Sequence, residues 1–275
     1  MGGYLRPATL EAALALLAER PRTVLAGGTD HFPARVLHAP DEDMLDITGL
    51  PGLRAIARRD GHWLVPCLAT WSDLIAADLP AGFAGLRLAA RQVGGAQVQN
   101  VATVVGNVCN ASPAADGVPC LLALDAQVEL ASRCGTRVLA LADFLRGPRQ
   151  TTRRADELVL GLRIPVANAT ARSVFEKLGA RRYLVISIVM VAVVAELADD
   201  GTVAWARVAV GACSPVARRL PALEAALIGR RPDPALVQAE HLAPLAPIDD
   251  VRGSAAYRRT AVVVLLRRAV EALAA

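Results

Sequence analysis

The chain has 275 residues, of which 54% are hydrophobic and 20% are charged, and its formal net charge at pH 7 is +4. This length and hydrophobic content are enough for a sizeable core, which argues against an intrinsically disordered protein. The charges are dispersed, the basic clusters are no longer than pairs, and aromatic residues make up only 4% of the chain. A nucleic-acid-binding surface, which combines a basic stripe with stacking rings, is therefore disfavoured.

The five cysteines, at positions 67, 109, 120, 134 and 213, form no C-x-x-C pair. Such a scattered set argues against a disulfide framework and against a zinc or iron–sulfur site in this chain, and it favours a reducing compartment. No basic region precedes the apolar residues near the N-terminus, and the apolar run at 183–195 is too short to cross a bilayer. We therefore expect a soluble, cytoplasmic protein.

Short helices and strands alternate through the first 165 residues. Thr9 is a suitable N-cap for the first helix, and Thr70 or Ser72 can cap another. The predicted elements, in chain order, are a helix from 10 to before Pro21, strands at 23–26, 44–47, 53–56 and 62–68, helices from about 71 and at 84–92, a helix at 118–124, a hairpin of 127–130 with 137–139, a helical turn at 143–145 and a strand at 157–164. This mixture indicates an α+β or α/β fold.

The remaining residues have the pattern of a second unit. Residues 166–173 are small and polar and are the best candidate for a linker. The elements predicted after them are a buried strand at 186–197, a turn at 199–201, a return strand at 203–210, and helices at 220–227, 234–242 and 257–273. We expect a small antiparallel sheet that packs against helices.

Two stretches rich in glycine and small polar residues, at 24–30 and 94–116, interrupt these patterns. They offer exposed backbone N–H groups, close backbone approach at glycine, and short hydrogen-bonding side chains, which suit an oxygen-rich anion such as a diphosphate. We expect the longer stretch to be a loop with little hydrophobic burial, and both stretches to hold one ligand, although each could be only a tight turn. Neither matches G-x-x-x-x-G-K-[ST] or G-x-G-x-x-G, which disfavours a Walker ATPase and a simple Rossmann dehydrogenase.

Taken with residues 175–182, the two stretches resemble the FAD-binding medium subunits of the molybdenum hydroxylases, a group that includes carbon monoxide dehydrogenase and xanthine dehydrogenase. That family has an A-G-G-[TH]-[DS] loop, which stands here at 26–30. Its longer loop, Q-[VI]-[RK]-N-x-A-[TS]-[IV]-G-G-N followed by S-P-x-[AS]-D, stands here at 97–116. The similarity runs along the whole chain and includes the segment 250–259.

The resemblance implies that the two loops grip the diphosphate of FAD. It also implies that Asp116 accepts hydrogen bonds from ribityl or ribose hydroxyls, that Lys177 approaches the flavin, and that Ile186 lies over its ring. The implied cofactor-binding residues are Leu25, Ala26, Gly27, Gly28, Thr29, Asp30, Ala102, Thr103, Gly106, Asn107, Cys109, Asn110, Ala115, Asp116, Leu158, Val159, Lys177 and Ile186. No residue of this chain is expected to be catalytic or to bind a metal, because the cofactor carries the chemistry.

Simpler roles are open for several of these residues. Asp116 could cap the helix that follows it. Lys177, the only lysine of the chain, could be a solvated partner of Glu176. Cys109 is expected to be a small buried neighbour rather than a reactive thiol, and Ile186 could be an ordinary core residue.

Val105 departs from the family pattern, which usually has glycine at that position. A β-branched residue does not readily adopt positive φ, so we expect Val105 to be extended. If the glycine normally allows close approach to phosphate, the affinity for the cofactor should be somewhat lower in this chain. The retained Gly106-Asn107 pair indicates that the site is preserved.

The resemblance further implies an α+β fold with two domains. The first is a two-subdomain FAD-binding domain of the PCMH or vanillyl-alcohol-oxidase type over residues 1–168, divided at about residue 56. The second covers residues 172–275 and contains the small antiparallel sheet and its helices.

The function that the resemblance implies is that of an FAD-carrying electron-transfer subunit in a heterotrimeric molybdenum hydroxylase. A large subunit would hold the molybdenum cofactor, and a small subunit would hold two [2Fe-2S] clusters that pass electrons to this chain. Two such trimers are expected to pair. The alternatives are a self-contained FAD oxidoreductase with the same flavin fold and a flavin-free assembly or scaffold subunit. Neither the substrate nor the electron acceptor is indicated by this chain.

Overall fold

The computed structural model describes residues 2–35, 41–166 and 171–274, and it confirms the α+β class. The strands are β1 (Tyr4–Leu5), β2 (Thr23–Leu25), β3 (Met44–Asp46), β4 (Ala57–Arg59), β5 (His62–Pro66), β6 (Gln127–Ser132), β7 (Gly135–Ala140), β8 (Leu145–Gly147), β9 (Gln150–Thr151), β10 (Leu158–Pro165), β11 (Arg172–Leu178), β12 (Val189–Leu197), β13 (Val203–Gly211) and β14 (Arg218–Arg219). The helices are α1 (Leu10–Glu19), α2 (Trp71–Ala76), α3 (Ala84–Arg91), α4 (Ala96–Val101), α5 (Val104–Asn110), α6 (Gly117–Ala123), α7 (Leu141–Phe144), α8 (Pro221–Leu227) and α9 (Ala255–Leu273).

The first sheet contains three parallel strands in the order β1-β3-β2. α1 leads into it, and the predicted cap is confirmed because Thr9 Oγ1 accepts the N–H of Ala12 at 3.1 Å. β2 ends at Leu25, whose carbonyl oxygen accepts the N–H of Ile47 at 3.0 Å. The chain leaves β2 directly into residues 26–30, so this sheet fixes where the first glycine loop begins.

The second sheet is antiparallel, with the strand order β4-β5-β10-β6-β7. Thr70 caps α2 in a capping box with Asp73, so the first of the two predicted caps is the correct one. The predicted hairpin of 127–130 with 137–139 is confirmed as the pair of β6 and β7. Large side chains that are fully buried in this part of the chain include Trp71, Phe83, Leu86, Leu121 and Leu130.

The third sheet, in the order β11-β12-β13-β14, is antiparallel and is covered on both faces. Successive side chains of β12 point to opposite faces. Met190 and Val194 lie in the core shared with the N-terminal part of the chain, whereas Val191 and Val193 lie in a second core with residues of α8 and α9. A strand that is buried on both faces has no polar side, which explains the uninterrupted apolar run at 189–195.

Some predicted boundaries are wrong. The strand expected at 53–56 lies at Ala57–Arg59, where pairing with β5 begins. The strand expected to start at 186 starts at Val189. The helix expected at 234–242 consists of two short 3-10 turns, since Val237 between them is extended and fully buried.

The prediction of a linker at 166–173 is wrong at its C-terminal end. Residues 167–170 lie outside the described residues. Ala171 is buried, and Arg172 opens β11, where it pairs in register with Ala195. The guanidinium of Arg172 also donates to the carbonyl oxygen of Leu273 at 2.7 Å. β11 itself was not predicted, because its alternation of polar and apolar residues is short and irregular.

The stretch at 94–116 is not one open loop. It contains α4 and α5, and Val104, Val105 and Val108 of α5 are buried. The expectation of little hydrophobic burial is therefore wrong, because three valines on one short helix face the core beneath the glycines. Within the described residues no helix, including the 19-residue α9, is long and apolar enough to cross a membrane.

The double-faced burial of β12 predicts that both faces contribute to stability. Val193→Ala and Val194→Ala should each lower the free energy of unfolding by about 1.5–3 kcal/mol, because each removes buried methyl groups from a different core. Val138→Ala, at a 40% exposed position of β7, should change it by less than about 0.5 kcal/mol. Urea unfolding of the three variants tests this. A loss at only one of the two β12 positions would contradict burial on both faces.

Candidate functional site

A cavity of about 960 Å³ lies among segments that are far apart in the sequence. Its volume is at the upper end of the range of roughly 300–1,000 Å³ typical of small-molecule and cofactor sites. Residues 22–31, most of residues 102–116, and residues 184–186 line it, together with Leu158 and Val159 of β10. We call this space the central cavity.

The first glycine loop, residues 26–30, touches the second loop beside the central cavity. A Cβ on Gly27 would lie 2.2 Å from the carbonyl oxygen of Val101, a distance that no real Cβ keeps. Gly28 has a φ of +64°, and a Cβ there would lie 2.8 Å from the ring of Phe32. Both positions therefore require glycine, one for close approach and one for backbone conformation as well.

The second loop is anchored on the start of α2. Thr70 and Thr103 form an isolated antiparallel bridge, and Val104 N–H donates to the carbonyl oxygen of Ala69 at 2.9 Å. Thr103 also caps α5, because its Oγ1 accepts the N–H of Gly106 at 2.9 Å. A Cβ on Gly106 would lie 2.7 Å from that same oxygen. The capping hydrogen bond therefore leaves no room for a side chain at position 106, so this position requires glycine even without a ligand.

Val105 is helical, so the expectation of an extended conformation is wrong. It lies in the first turn of α5, is buried, and lines the central cavity. A helical residue has negative φ, which a β-branched side chain accepts at little cost. The Thr103 cap starts the helix one residue before Val105 and decides its conformation. The effect of this valine on cofactor affinity stays a prediction.

The structure brings the predicted site residues together. All of them except Lys177 line the central cavity: Leu25, Ala26, Gly27, Gly28, Thr29, Asp30, Ala102, Thr103, Gly106, Asn107, Cys109, Asn110, Ala115, Asp116, Leu158, Val159 and Ile186. Ile186 is 53% exposed, so its alternative role as an ordinary core residue is wrong. These residues come from four separate parts of the chain that only the fold places around one space.

Lys177 reaches the cavity wall through Asp116. Its Nζ donates to Asp116 Oδ2 at 2.7 Å, and Ser187 Oγ donates to Asp116 Oδ1 at 2.6 Å. The side chains of Lys177 and Asp116 are only 5% and 11% exposed. Lys177 is therefore not a solvated partner of Glu176, because Asp116 offers it a buried carboxylate.

The electrostatics of Asp116 reflect this burial. Burial raises the pKa of the Asp116 carboxyl above its ordinary value, and both the charge of Lys177 and the hydrogen bond from Ser187 oppose that rise. Although Asp116 precedes α6, its side chain makes no capping hydrogen bond. The alternative role as a helix cap is thus wrong. Ser187 carries no sequence signal, because it stands alone in an apolar run.

The two cysteines that line the central cavity are protonated at neutral pH. Burial raises the pKa of Cys67 to about 12 and that of Cys109 to about 11, although Arg153 opposes the rise at Cys109. A thiol with such a pKa is a poor nucleophile. This agrees with the expectation that Cys109 is not a reactive thiol.

Several cavity-lining residues were not identified from the sequence, namely Ile47, Cys67, Trp71, Arg149 and Arg153. Ile47 belongs to the Leu45-Asp46-Ile47 segment of the family resemblance, which does not mark it as a site residue. The other four belong to no motif, and tertiary contacts bring them to the cavity. Four lining residues have buried polar atoms without a hydrogen-bond partner among the described residues, namely Arg22 Nε, His31 Nε2, Trp71 Nε1 and Asn107 Oδ1. Such atoms cost about 1–3 kcal/mol each, so acceptor and donor atoms at the wall suit a polar ligand with many oxygen and nitrogen atoms.

The sequence that forms the central cavity and its glycine loops matches a known protein family. A family model described as the FAD binding domain in molybdopterin dehydrogenase matches residues 1–167, which is more than half of the chain. The chain belongs to the FAD-binding medium subunits of the molybdenum hydroxylases. A second model, the CO dehydrogenase flavoprotein C-terminal domain, matches residues 174–273 of this FAD subunit. Its cofactor is FAD, and it is a subunit of an oxidoreductase.

Relatives of this FAD subunit match it over its whole length. The carbon monoxide dehydrogenase medium chain of Afipia carboxidovorans is 31% identical over 280 residues, which cover 98% of this chain and 95% of the relative. The glyceraldehyde dehydrogenase medium chain of Sulfolobus acidocaldarius is 30% identical over 277 residues and 98% of both chains. A chain of reconstituted CO dehydrogenase from Oligotropha carboxidovorans superimposes with a TM-score of 0.93 at 27% identity, covering 100% of this chain and 98% of that one.

The buried pair of Asp116 and Lys177 predicts a stability change that needs no cofactor. Asp116→Asn should lower the free energy of unfolding of the apoprotein by roughly 3–5 kcal/mol, because it leaves Lys177 buried without its charge partner. The double variant Asp116→Asn with Lys177→Met should recover most of that loss. Urea unfolding measures both, with Asp60→Asn in an exposed turn as the control. Equal losses in the single and double variants would contradict the pairing.

The contact of Gly27 with the second loop predicts that a methyl group there separates the loops. Gly27→Ala should lower the free energy of unfolding by about 1–3 kcal/mol, the usual cost of overpacking, and should weaken FAD binding. Thermal unfolding and FAD titration provide the two measurements. Gly147→Ala is the matched control, since its Cβ would meet only the side chain of Gln150, at 3.3 Å. Unchanged stability and FAD binding in Gly27→Ala would contradict the prediction that close contact between the two loops is required.

Proposed function

We propose that this FAD subunit is the electron-transfer subunit of a heterotrimeric molybdenum hydroxylase, in which it accepts electrons from [2Fe-2S] clusters on a partner and delivers them to an external acceptor. The observation that carries the proposal is the convergence of both glycine loops and Asp116 on one cavity of about 960 Å³. FAD, when bound, supplies the redox chemistry. The residues of this chain bind and orient it.

Residues 26–30 and 102–110 would hold the diphosphate. Gly27, Gly28 and Gly106 line the cavity, and backbone N–H groups in glycine-containing turns bind anions. The buried Oδ1 of Asn107, which has no hydrogen-bond partner among the described residues, can accept a hydrogen bond from the cofactor. Ala102, Thr103, Cys109 and Asn110 would complete this contact surface.

Asp116 would accept hydrogen bonds from ribityl or ribose hydroxyls. Lys177 and Ser187 occupy one position on each carboxylate oxygen, but a carboxylate has about four lone-pair sites, so capacity remains for the cofactor. Lys177 then acts by keeping Asp116 charged and oriented. We assign it to positioning rather than to direct contact with the flavin.

The apolar residues of the cavity would enclose the flavin ring. Leu158 and Val159 are buried in β10, Leu25 and Ala115 are buried within the two glycine stretches, and Ile186 is half exposed. The exposed margin fits a flavin that must exchange electrons with a molecule outside this chain. This supports an external electron acceptor.

The partners are inferred from the relatives. Proteins such as the carbon monoxide dehydrogenase medium chain bear names that place them in complexes of several chains. We propose a large subunit with the molybdenum cofactor, a small subunit with two [2Fe-2S] clusters, and the pairing of two trimers. We also propose that residues 1–168, divided at about residue 56, bind FAD as one domain, and that residues 172–275 form the second.

The first experiment is the visible spectrum of the purified chain before and after addition of FAD. Bands near ~370 and ~450 nm, the usual flavin absorption, should appear and remain after gel filtration, and Leu158→Asp should reduce them because it places a charge in the apolar part of the cavity. A chain that stays colourless with added FAD, alone and with its partner subunits, would overturn the proposal and favour the flavin-free scaffold, for which Val105 is the specific observation.

The direction of electron flow requires a second experiment. Anaerobic mixing of the oxidised FAD chain with a reduced partner subunit that holds [2Fe-2S] clusters should bleach the ~450 nm band. Reoxidation by NAD, a quinone or dioxygen then identifies the acceptor class. Reduction by a small organic substrate without any partner subunit would instead indicate the self-contained FAD oxidoreductase.

A further inference from the structure

Arg149 connects the two glycine loops at the margin of the central cavity. Its Nη1 donates to Asp30 Oδ2 of the first loop at 2.8 Å and to Asn110 Oδ1 at the end of α5 at 2.7 Å. It lines the same cavity as both of those residues. The sequence separation is 119 residues to Asp30 and 39 residues to Asn110. No motif of the sequence pointed to this arginine.

The backbone of Arg149 is fixed in the position that this contact needs. Arg149 lies in the tight connection between β8 and β9 and has a φ of +57°, which costs an L-residue about 1–2 kcal/mol. Its N–H donates to the carbonyl oxygen of Ala111 at 3.0 Å, and Ala111 also has positive φ, at +47°. Two strained residues that bond to each other hold the guanidinium over the gap between the loops, and conformations of this kind cluster at ligand sites.

The ion pair between Arg149 and Asp30 also changes the electrostatics of the first loop. Asp30 belongs to the loop proposed to bind the diphosphate, and an unpaired carboxylate there would repel a dianion. Arg149 is the ion-pair partner of Asp30 in the described part of the chain. It therefore neutralises Asp30 at the same time as it joins the loops.

We infer that Arg149 is a further cofactor-positioning residue, a clamp that joins Asp30 to Asn110 across the cavity margin and slows the release of FAD. This inference rests on the proposed FAD site. Because the pair is more than half exposed on both sides, the clamp affects the rate of release more than the existence of the site. Arg149 touches neither reacting group nor substrate in this assignment.

The test measures FAD dissociation from the full-length holoprotein of Arg149→Gln by trapping released FAD with an excess of an apoflavoprotein. The rate should rise roughly two- to tenfold, as expected from the loss of one exposed ion pair and one charge-assisted hydrogen bond. The matched control is Arg146→Gln, which removes an exposed arginine from the same hairpin and should leave the rate unchanged. Arg149→Lys, which keeps the charge, should give an intermediate rate.

A double-mutant cycle separates the clamp from a general loss of structure. In the Asp30→Asn background, Arg149→Gln should have a smaller effect on dissociation than in the wild type, because one of its two partners has lost its charge. Raising the salt concentration should accelerate FAD release from the wild type and should have less effect on Arg149→Gln, since exposed charge pairs are screened. Equal effects of Arg149→Gln in both backgrounds would overturn the clamp.

Hydrogen exchange of the apoprotein makes the inference testable apart from FAD. Arg149→Gln should speed amide exchange in residues 26–30 and in residues 107–111 together, whereas Arg146→Gln should change neither. If the wild type binds no FAD, the proposed function fails. The hydrogen-exchange rates of the apoprotein still test whether Arg149 holds the two loops together. If FAD binds but both the exchange and the dissociation rates are unchanged in Arg149→Gln, the clamp fails and the FAD site stands.

Discussion

The structure depends on one buried polar contact, the group formed by Asp116, Lys177 and Ser187. Asp116 ends the second glycine loop, Lys177 belongs to β11, and Ser187 precedes β12, so these three residues join the N-terminal half of the chain to the third sheet. Burial disfavours the charge on each member of this pair, and the opposite charge together with the hydrogen bond from Ser187 offsets that cost. The same contact orients the carboxylate that faces the central cavity. The same three residues therefore stabilise the fold and shape the cofactor site.

The central cavity exists because separate segments are held at short distances by unlike contacts. Gly27 meets the backbone of Val101 with no room for a side chain. Arg149 spans the margin by hydrogen bonds, and the Asp116 group closes the side toward the third sheet. A backbone approach, an exposed charged contact and a buried ion pair respond differently to mutation and to salt. The contribution of each to cofactor retention can thus be measured separately.

The third sheet shows how packing overrides a simple pattern. Both faces of β12 are covered, one by the core of the N-terminal half and one by α8 and α9. Its apolar run predicts a buried strand that starts at 186, because Ile186 and Ile188 are as apolar as the strand itself. In the structure Ile186 is exposed at the cavity margin while Val189 is fully buried. Hydrophobicity alone does not distinguish a strand from a cavity wall.

The sequence by itself determined a fold of mixed helices and strands, the cap at Thr9, the two glycine loops and the family, because each depends on local backbone chemistry or on a motif longer than chance supplies. It left Thr70 and Ser72 as alternative caps for α2, and the structure selects Thr70. It did not determine the helical state of Val105, the partner of Lys177, or the roles of Ser187 and Arg149. The contacts of Lys177, Ser187 and Arg149 join residues that are 39 to 119 positions apart in the sequence. The conformation of Val105 depends on the Thr103 cap that starts α5. Only the tertiary structure decides such contacts, because an ion pair or a shared cavity wall is a property of distance in space, and a sequence specifies that distance only through the whole fold.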